Sequence, residues 1–351
     1  MEILTIRQLR QATIESPCPA TVHVQLERLQ IKPTKSGSEY LEAKLSDAGD
    51  HLVLRVWSDS PAFAATRALS AGSFIAIEGE WAGSTYGLEP KQWKIRELSP
   101  DERLALLAGP PSLRARQQQD FAEITDLTGR IADPRLHGLC RLFLEEYGER
   151  FLRTGAAREY HHARRGGLVE HVAQMMRSAA ALCGAYQGVN KDLLLAGVLF
   201  HDCGKLWENC YERDGFTMPH TEPGELLGHI PMGIELVNRL WRRLLDPAPD
   251  AWSEASPPSE SVRLHLLHLI GSHHGEHQFG SPVLPRTPEA ILLHHIDNID
   301  AKLEMLSETY QTSPLIAANI FERRRPLPGN PVRPLGPFQS GEAHPPGAEE
   351  S

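Results

Sequence analysis

Leu193-Leu194-Leu195-Ala196-Gly197-Val198-Leu199-Phe200-His201-Asp202-Cys203-Gly204-Lys205 is the stretch that decides how this chain reads. Eight apolar residues in succession belong to a helix buried on all sides. Such helices rarely end in an imidazole, a carboxylate and an ammonium together. Groups of that kind are tolerated inside a protein when they bind a metal or one another. Further candidates stand on both sides of the His201-Asp202 pair: His171 upstream, then His229, His273, His274 and Asp297 downstream. Mixed histidine and aspartate suits a divalent transition ion (Mn, Fe, Co, Ni or Zn) better than an all-oxygen magnesium or calcium cage.

Apolar residues at helical spacing predict helices over 134–152, 168–186, 192–205, 229–245, 259–272 and 288–310. His171 shares the inward side of its helix with Val172, Met175, Met176 and Ala179, and Asp297 lies in the last long helix among Ile291, Leu292, Ile296 and Ile299. His171, His201, Asp202 and Asp297 then make a first metal site. His229, His273 and His274 make a second, with Asp202 bridging both. Two ions held close together clamp a phosphoryl group and activate water between them. Lys205, one helical turn after His201, is placed to hold a phosphate oxygen as a point charge. Asp202 and Lys205 are the expected catalytic pair, and metal-assisted phosphoester hydrolysis is the expected chemistry. His265, His268 and His294 read as satisfied core histidines, and Glu276 and His277 as solvated loop residues.

Upstream the pattern changes. Val22, Val24 and Leu26 alternate with polar neighbours, as do Leu41, Ala43 and Leu45, then Leu52, Leu54 and Val56, with further strands at Phe74–Ile77 and Trp93–Ile95. Five short strands and a helix near 61–69 suit a small barrel of OB type over residues 1–98. The polar stretch 99–119 reads as a linker with a helical piece, 120–324 as the helical domain, and 325–351, crowded with Pro, Gly and Glu, as a disordered tail. The fold class is therefore multidomain: an all-β OB-fold-like barrel followed by an all-α core.

Composition excludes several classes. With 351 residues, 41% hydrophobic and 23% charged, the chain is ordinary for a soluble protein. Its formal net charge of -9 provides no global field for nucleic acid, so any such contact must come from a local patch or from metal ions. Five cysteines with no C-x-x-C fit a reducing cytosol better than a disulfide framework or zinc ribbon. No signal-peptide pattern opens the sequence and no apolar run approaches the roughly 20 residues of a membrane span. No membrane association is expected, and the expected location is cytoplasmic.

His171, the His201-Asp202 doublet with Gly204-Lys205, and the late Asp297 resemble the signature of the HD phosphohydrolase superfamily. The finer text is similar to the YhaM-type 3′–5′ exoribonucleases. His161-His162-Ala163-Arg164-Arg165-Gly166-Gly167-Leu168-Val169-Glu170-His171 resembles their HHA-x-x-GGL-x-EH segment, and Leu227-Gly228-His229-Ile230, Ser272-His273-His274-Gly275, Phe279-Gly280-Ser281-Pro282 and Ile296-Asp297-Asn298-Ile299-Asp300-Ala301-Lys302 match as well. This resemblance covers about 120–310. A looser one, at Tyr40–Asp47 and Val56-Trp57, links the N-terminal region to the family's OB-fold.

The resemblance implies an HD core holding divalent metal, two ions and most often Mn, that removes nucleotides from the 3′ ends of RNA or single-stranded DNA. It implies His171, His201, Asp202 and Asp297 as ligands of the first ion, and His229, His273 and His274 as the additional ligands. Lys205 matches the phosphate-contacting lysine. His161 and His162 match the family text beside the substrate, capping the helix or approaching the scissile phosphate. OB barrels bind single strands by stacking bases on aromatics along a cationic groove. Tyr40, Trp57, Trp81, Tyr86 and Trp93, with Lys32, Lys35, Lys44, Arg55 and Lys91, are the available parts, Tyr40 and Tyr86 being the expected exposed rings. Two other readings compete: an HD enzyme acting on nucleotides or cyclic (di)nucleotides, and a non-catalytic nucleic-acid-binding adaptor. An OB-like platform argues against the first, intact ligands against the second, and a homo-oligomer stays open.

Overall fold

The computed structural model describes residues 1–14, 16–34, 37–84, 87–159, 161–245 and 252–336. In its first hundred residues the period-two alternation becomes a six-stranded sheet. The elements run β1 (Glu2–Leu4), α1 (Ile6–Ala12), β2 (Cys18–Pro33), β3 (Glu39–Ser46), β4 (His51–Trp57), α2 (Phe63–Arg67), β5 (Phe74–Ser84) and β6 (Gly87–Glu97). Strand order is β4-β3-β2-β5-β6, with β1 parallel on β2. The long β2 pairs with β5 through its first half and with β3 through its second, and a register shift at Leu26/Arg28 bends it where it changes partner. The outer strands β4 and β6 come together, which curls the sheet into a partly open barrel with OB strand order. Val22, Val24, Leu26, Leu41, Leu45, Leu54, Ile77 and Trp81 fill it. Helix α1 was not foreseen: a Thr5 capping box starts it, and Ile6 and Leu9 pack into the barrel core.

The stretch 99–119, read as a linker with a helical piece, carries one helix and the start of another. It is helical over α3 (Pro100–Ala108), opened by a Ser99–Glu102 capping box, and α4 (Pro111–Gly129), with Gly109 at φ +72° between them. Its glutamines misled because they are polar, yet the Gln117 amide donates to Arg165 O at 2.8 Å and to Glu170 at 2.9 Å, fastening α4 to the helical core.

That core continues through α5 (Pro134–Phe151), α6 (Gly167–Ala185), α7 (Lys191–Phe200), α8 (Lys205–Glu208), α9 (Glu222–Leu227), α10 (His229–Leu245), α11 (Ser259–Ser272) and α12 (Pro288–Thr312). The apolar helix α7 is surrounded by α4, α5, α6 and α11, which is why all eight residues from Leu193 to Phe200 are buried. A small cluster of Ala48, Phe74, Tyr211 and Phe216, with Leu106 and Leu107 of α3 against it, joins barrel and helices. There the Gln25 carboxamide oxygen accepts from Phe216 N, and the Arg103 guanidinium lies 4.4 Å over the Phe74 ring.

Met1–Met305 forms one compact unit and the chain from Leu306 onward a second. The second contains the end of α12 and a short antiparallel pair, β7 (Leu315–Ala317) and β8 (Ile320–Phe321), so the helical region is not all-α to residue 324. Residues 325–336, expected to be disordered, are held by two backbone bonds, Phe321 N donating to Pro331 O and Arg333 N to Asn319 O, and by the Tyr310 hydroxyl, which donates to Val332 O. Leu327 is buried. Low hydrophobicity misled because hydrogen bonds, not a large core, order this segment. The rest of the expected tail, 337–351, lies outside the described residues. No helix is long and apolar enough to cross a membrane, among the described residues.

Candidate metal centre

Four helices and one turn bring the site together. Helix α6 carries His171 in its first turns, on the face where Val172, Met175, Met176 and Ala179 are buried. The expected helix over 192–205 stops at Phe200. His201–Gly204 form a turn, and α8 restarts at Lys205. Gly204 allows a close approach there, since a Cβ on it would stand 1.9 Å from the His229 carbonyl oxygen. The turn thus lies directly on the start of α10, which carries His229. His273 and His274 follow the end of α11, and α12 supplies Asp297. The apolar face of α12 is Ala290, Leu293 and Ile296, while Ile291 and Ile299, expected to surround Asp297, are exposed.

Asp202 is the hub. Its Oδ2 lies 3.2 Å from His201 Nε2, 3.9 Å from His171 Nε2 and 2.6 Å from Lys205 Nζ. Its Oδ1 lies 3.4 Å from His229 Nε2 and 3.6 Å from His273 Nε2. Asp297 Oδ1 is 3.4 Å from His171 Nε2. The His273 and His274 rings sit 4.2 Å apart, and His274 and His229 5.1 Å apart. Three groups of closely spaced potential ligands result among the described residues: His171, His201 and Asp202 in the first, His229, His273 and His274 in the second, and His162, His171 and Asp300 in the third.

The Nε2 atoms of His171, His201, His229 and His273, and Oδ1 of Asp202, are buried without a hydrogen-bond partner. Buried polar atoms are rarely left so, and each one calls for an explanation. Every ring is also held from behind. Nδ1 of His201 donates to Val198 O at 2.8 Å, that of His273 to Ile270 O at 2.8 Å, and that of His274 to Phe279 O at 2.7 Å. A carbonyl only accepts, so these Nδ1 atoms carry the proton and each Nε2 keeps its lone pair. His171 Nδ1 meets Asp300 at 2.7 Å, and His229 Nδ1 meets Glu208 at 3.0 Å. Two ligand atoms each about 2.0–2.2 Å from one ion stand roughly 3–3.5 Å apart. The separations around Asp202 and Asp297 are near that size, so the donor set fits divalent ions.

Electrostatics agree. Burial would raise the Asp202 carboxyl, but Lys205 and His201 outweigh it and hold it well below the usual carboxylate range. Burial likewise opposes ionisation of Asp297, and its bond to His171 reverses the effect. Burial lowers His229 and His273, and pushes His274 down to about 4, leaving these rings neutral as ligation requires. His171 is the exception. Burial would lower it, but Asp297 and Asp300 raise it to about 10, so a proton occupies it in the ion-free site.

Other expected residues are distributed unevenly. His161 lies beside the first group, its ring 5.8 Å from that of His171, and burial together with His171 and Lys205 pushes it down to about 3. Its Nδ1 has no partner. His162, 3% exposed and at φ +47°, instead turns its Nε2 to Asp300 at 3.0 Å and is not open to a substrate. Tyr40 is on the barrel, 5.1 Å from the Trp57 ring, and Tyr86 lies outside the described residues. Trp81, one of the available aromatics, is fully buried. His265 is exposed, not core; His268 and His294 are partly buried, and His294 Nδ1 donates to the His273 carbonyl at 2.9 Å. Sequence reasoning missed Asp300 and Glu208 as partners of the ligand histidines. Asp300 sits one turn beyond Asp297, a spacing that was a usable signal; Glu208 is brought to His229 only by the turn at Gly204.

An HD domain model matches residues 168–302, which span every one of the proposed ligands. The curated 3′-5′ exoribonuclease YhaM of Oceanobacillus iheyensis is 30% identical over 297 residues, covering 79% of this chain and 82% of its own. This chain belongs to the YhaM-type exoribonuclease family. Among solved structures, the asparaginyl-tRNA synthetase of Entamoeba histolytica in complex with asparaginyl-adenylate overlaps 42% of this chain and 36% of its own, at 11% identity and a TM-score of 0.20, a likeness too slight to bear on the fold. The His/Asp cluster lies within the span that the HD domain model matches, and the strand-rich domain precedes it.

Proposed function

We propose that this chain is a metal-dependent 3′–5′ exonuclease acting on the 3′ end of single-stranded RNA, with single-stranded DNA a further candidate substrate. The observation that carries the reading is the convergence of four orphaned imidazole Nε2 atoms on the two oxygens of one buried aspartate, in a family member whose relative is a 3′-5′ exoribonuclease. His171, His201, Asp202 and Asp297 would hold one divalent ion, and Asp202, His229, His273 and His274 a second, with Mn the first choice. Such ions supply the Lewis acidity that activates water and neutralises phosphoryl oxygens.

The chain's own groups do the rest. Lys205, anchored on Asp202, presents a positive charge to a phosphoryl oxygen. His161, neutral and without a partner for Nδ1, offers a hydrogen bond to the scissile phosphate. On the barrel, Tyr40 and Trp57 face each other across β3 and β4, with Lys32, Lys44 and Arg55 on the same two strands or on β2, and form a stacking surface for single-stranded bases. Five unpaired cysteines accord with a cytoplasmic location.

Purified protein with Mn, offered 5′-labelled single-stranded RNA and in parallel a panel of nucleotides and cyclic dinucleotides, tests the substrate class. A ladder shortening one nucleotide at a time is expected. Hydrolysis of the small molecules alone would replace the exonuclease reading with the small-molecule one, and binding without turnover would replace it with an adaptor.

A further inference from the structure

Two carboxylates outside the two proposed ion sites stand behind them, Asp300 behind His171 and Glu208 behind His229. Asp300 Oδ2 accepts from His171 Nδ1 at 2.7 Å, and Glu208 accepts from His229 Nδ1 at 3.0 Å. The other three ligand histidines are held by main-chain carbonyls. We infer that Asp300 and Glu208 are positioning residues, each fixing and polarising the one imidazole through which it acts on one ion only. This rests on the two-ion reading above.

The physics favours carboxylate over carbonyl at these two places. A carboxylate behind an imidazole fixes the tautomer, orients the ring and raises its basicity, and its loss typically costs about 10–100-fold in metal affinity. His171 and His229 need that support more than the others. His201 and His273 each directly follow a helix whose last-turn carbonyl reaches back to Nδ1, so their orientation comes with the helix end. His171 lies inside α6 and His229 opens α10, and at both the Nδ1 partner is a carboxylate instead.

Asp300 has a second task. The same Oδ2 lies 3.0 Å from His162 Nε2. His162 is held at φ +47°, and its carbonyl stands 2.0 Å from where a Cβ on Gly167 would be. The clamp therefore fastens the His161–Arg164 segment against α6 and sets His161 beside the first ion's ligands. The trio His162, His171 and Asp300 has the closeness of a metal site. It is better explained as this clamp, because His171 Nε2 faces Asp202 and Asp297 on the other side.

The test is calorimetric Mn titration of the full chain, in wild type, Asp300→Asn, Glu208→Gln and the restoring variant Asp300→Glu, each checked for native circular dichroism. Each is also made with His229→Ala, which leaves the first site alone. Asp300→Asn should weaken the step that survives in the His229→Ala background by about 10–100-fold, and Asp300→Glu should recover part of it. Glu208→Gln should weaken only the step that His229→Ala removes. If wild type binds two ions and neither variant shifts its own step, or both variants weaken both steps alike, the inference is overturned. A single Mn step in wild type overturns the two-ion reading instead, and Asp300→Asn still decides whether that step is buttressed. Should Asp300→Asn fail to fold, the Glu208→Gln arm, at a partly exposed position, carries the decision.

Discussion

The two oxygens of Asp202 face different groups of candidate ligands, Oδ2 toward His171 and His201 and Oδ1 toward His229 and His273. Asp202→Asn should therefore remove both ions, measured as metal content after dialysis, whereas His229→Ala should remove one. Lys205→Met leaves every imidazole in place and removes only the charge beside Asp202 Oδ2. It should keep Mn affinity and lower kcat by about 10²–10³-fold, in the range of losing one stabilising donor at a reacting phosphoryl; an unchanged kcat would reassign Lys205 to structure. His171 gives the pH dependence. Its proton is held up to about pH 10 in the ion-free site, and an ion must displace it. Loading at pH 8 should then release about one proton from this ring, seen as a difference between calorimetric enthalpies in two buffers. Mn affinity should rise with pH until about 10. Because the folded pKa lies above the unfolded one, the proton's contribution to ion-free stability is complete below about 6.5 and is lost as pH rises through 10. No proton release would mean that His171 is not a ligand. At this scale the sequence was highly informative: all seven ligand candidates meet in one place. What escaped was the second layer, because the partner of an imidazole's far nitrogen depends on ring orientation, which residue type does not encode.

Elements show where pattern misleads. Helix α7 was legible from its apolar run, but its end was not, since nothing local in Asp202-Cys203-Gly204-Lys205 says that another helix will lie on Gly204. The long-range contact with His229 lies just beyond that end. Gly204 and Gly197 separate the two kinds of close packing. At Gly197 an added Cβ meets the Leu269 side chain at 2.2 Å; at Gly204 it meets backbone at 1.9 Å. Gly197→Ala should cost about 1–3 kcal/mol by overpacking, read in urea melts, with metal content intact. Gly204→Ala has no flexible atom to displace and should push α10 away, costing the second ion as well as stability. Equal metal content in the two variants would show that the turn does not place His229. The start of α4 was hidden for the opposite reason: beside Ile124 and Phe121, which pack on the core, its inward contacts include the Gln117 amide and the Arg177–Asp120 pair, which read as solvated residues in a sequence.

For the molecule as a whole, the order of barrel and helical core was readable from the change of hydrophobic period near residue 100. The joint between them was not: Gln25 to Phe216, and Phe74 beside Tyr211, join positions far apart in the chain. Barrel and candidate metal centre belong to one compact unit, Met1–Met305. The barrel's role can therefore be separated from chemistry by substitution on its outer strands. Tyr40→Ala with Trp57→Ala should raise KM for a 20-nucleotide RNA by about 10-fold or more, from stacking worth roughly 1–3 kcal/mol per base, with kcat on a dinucleotide unchanged. Equal loss on both substrates would place these rings in the fold and not in binding. The most direct measurement compares wild type and Asp202→Ala on 5′-labelled single-stranded RNA, with Mn and after chelation. Stepwise shortening from the 3′ end by wild type with Mn, abolished both by chelation and by Asp202→Ala, is the predicted result. Shortening that persists in Asp202→Ala or without metal would contradict the assignment of hydrolysis to this site.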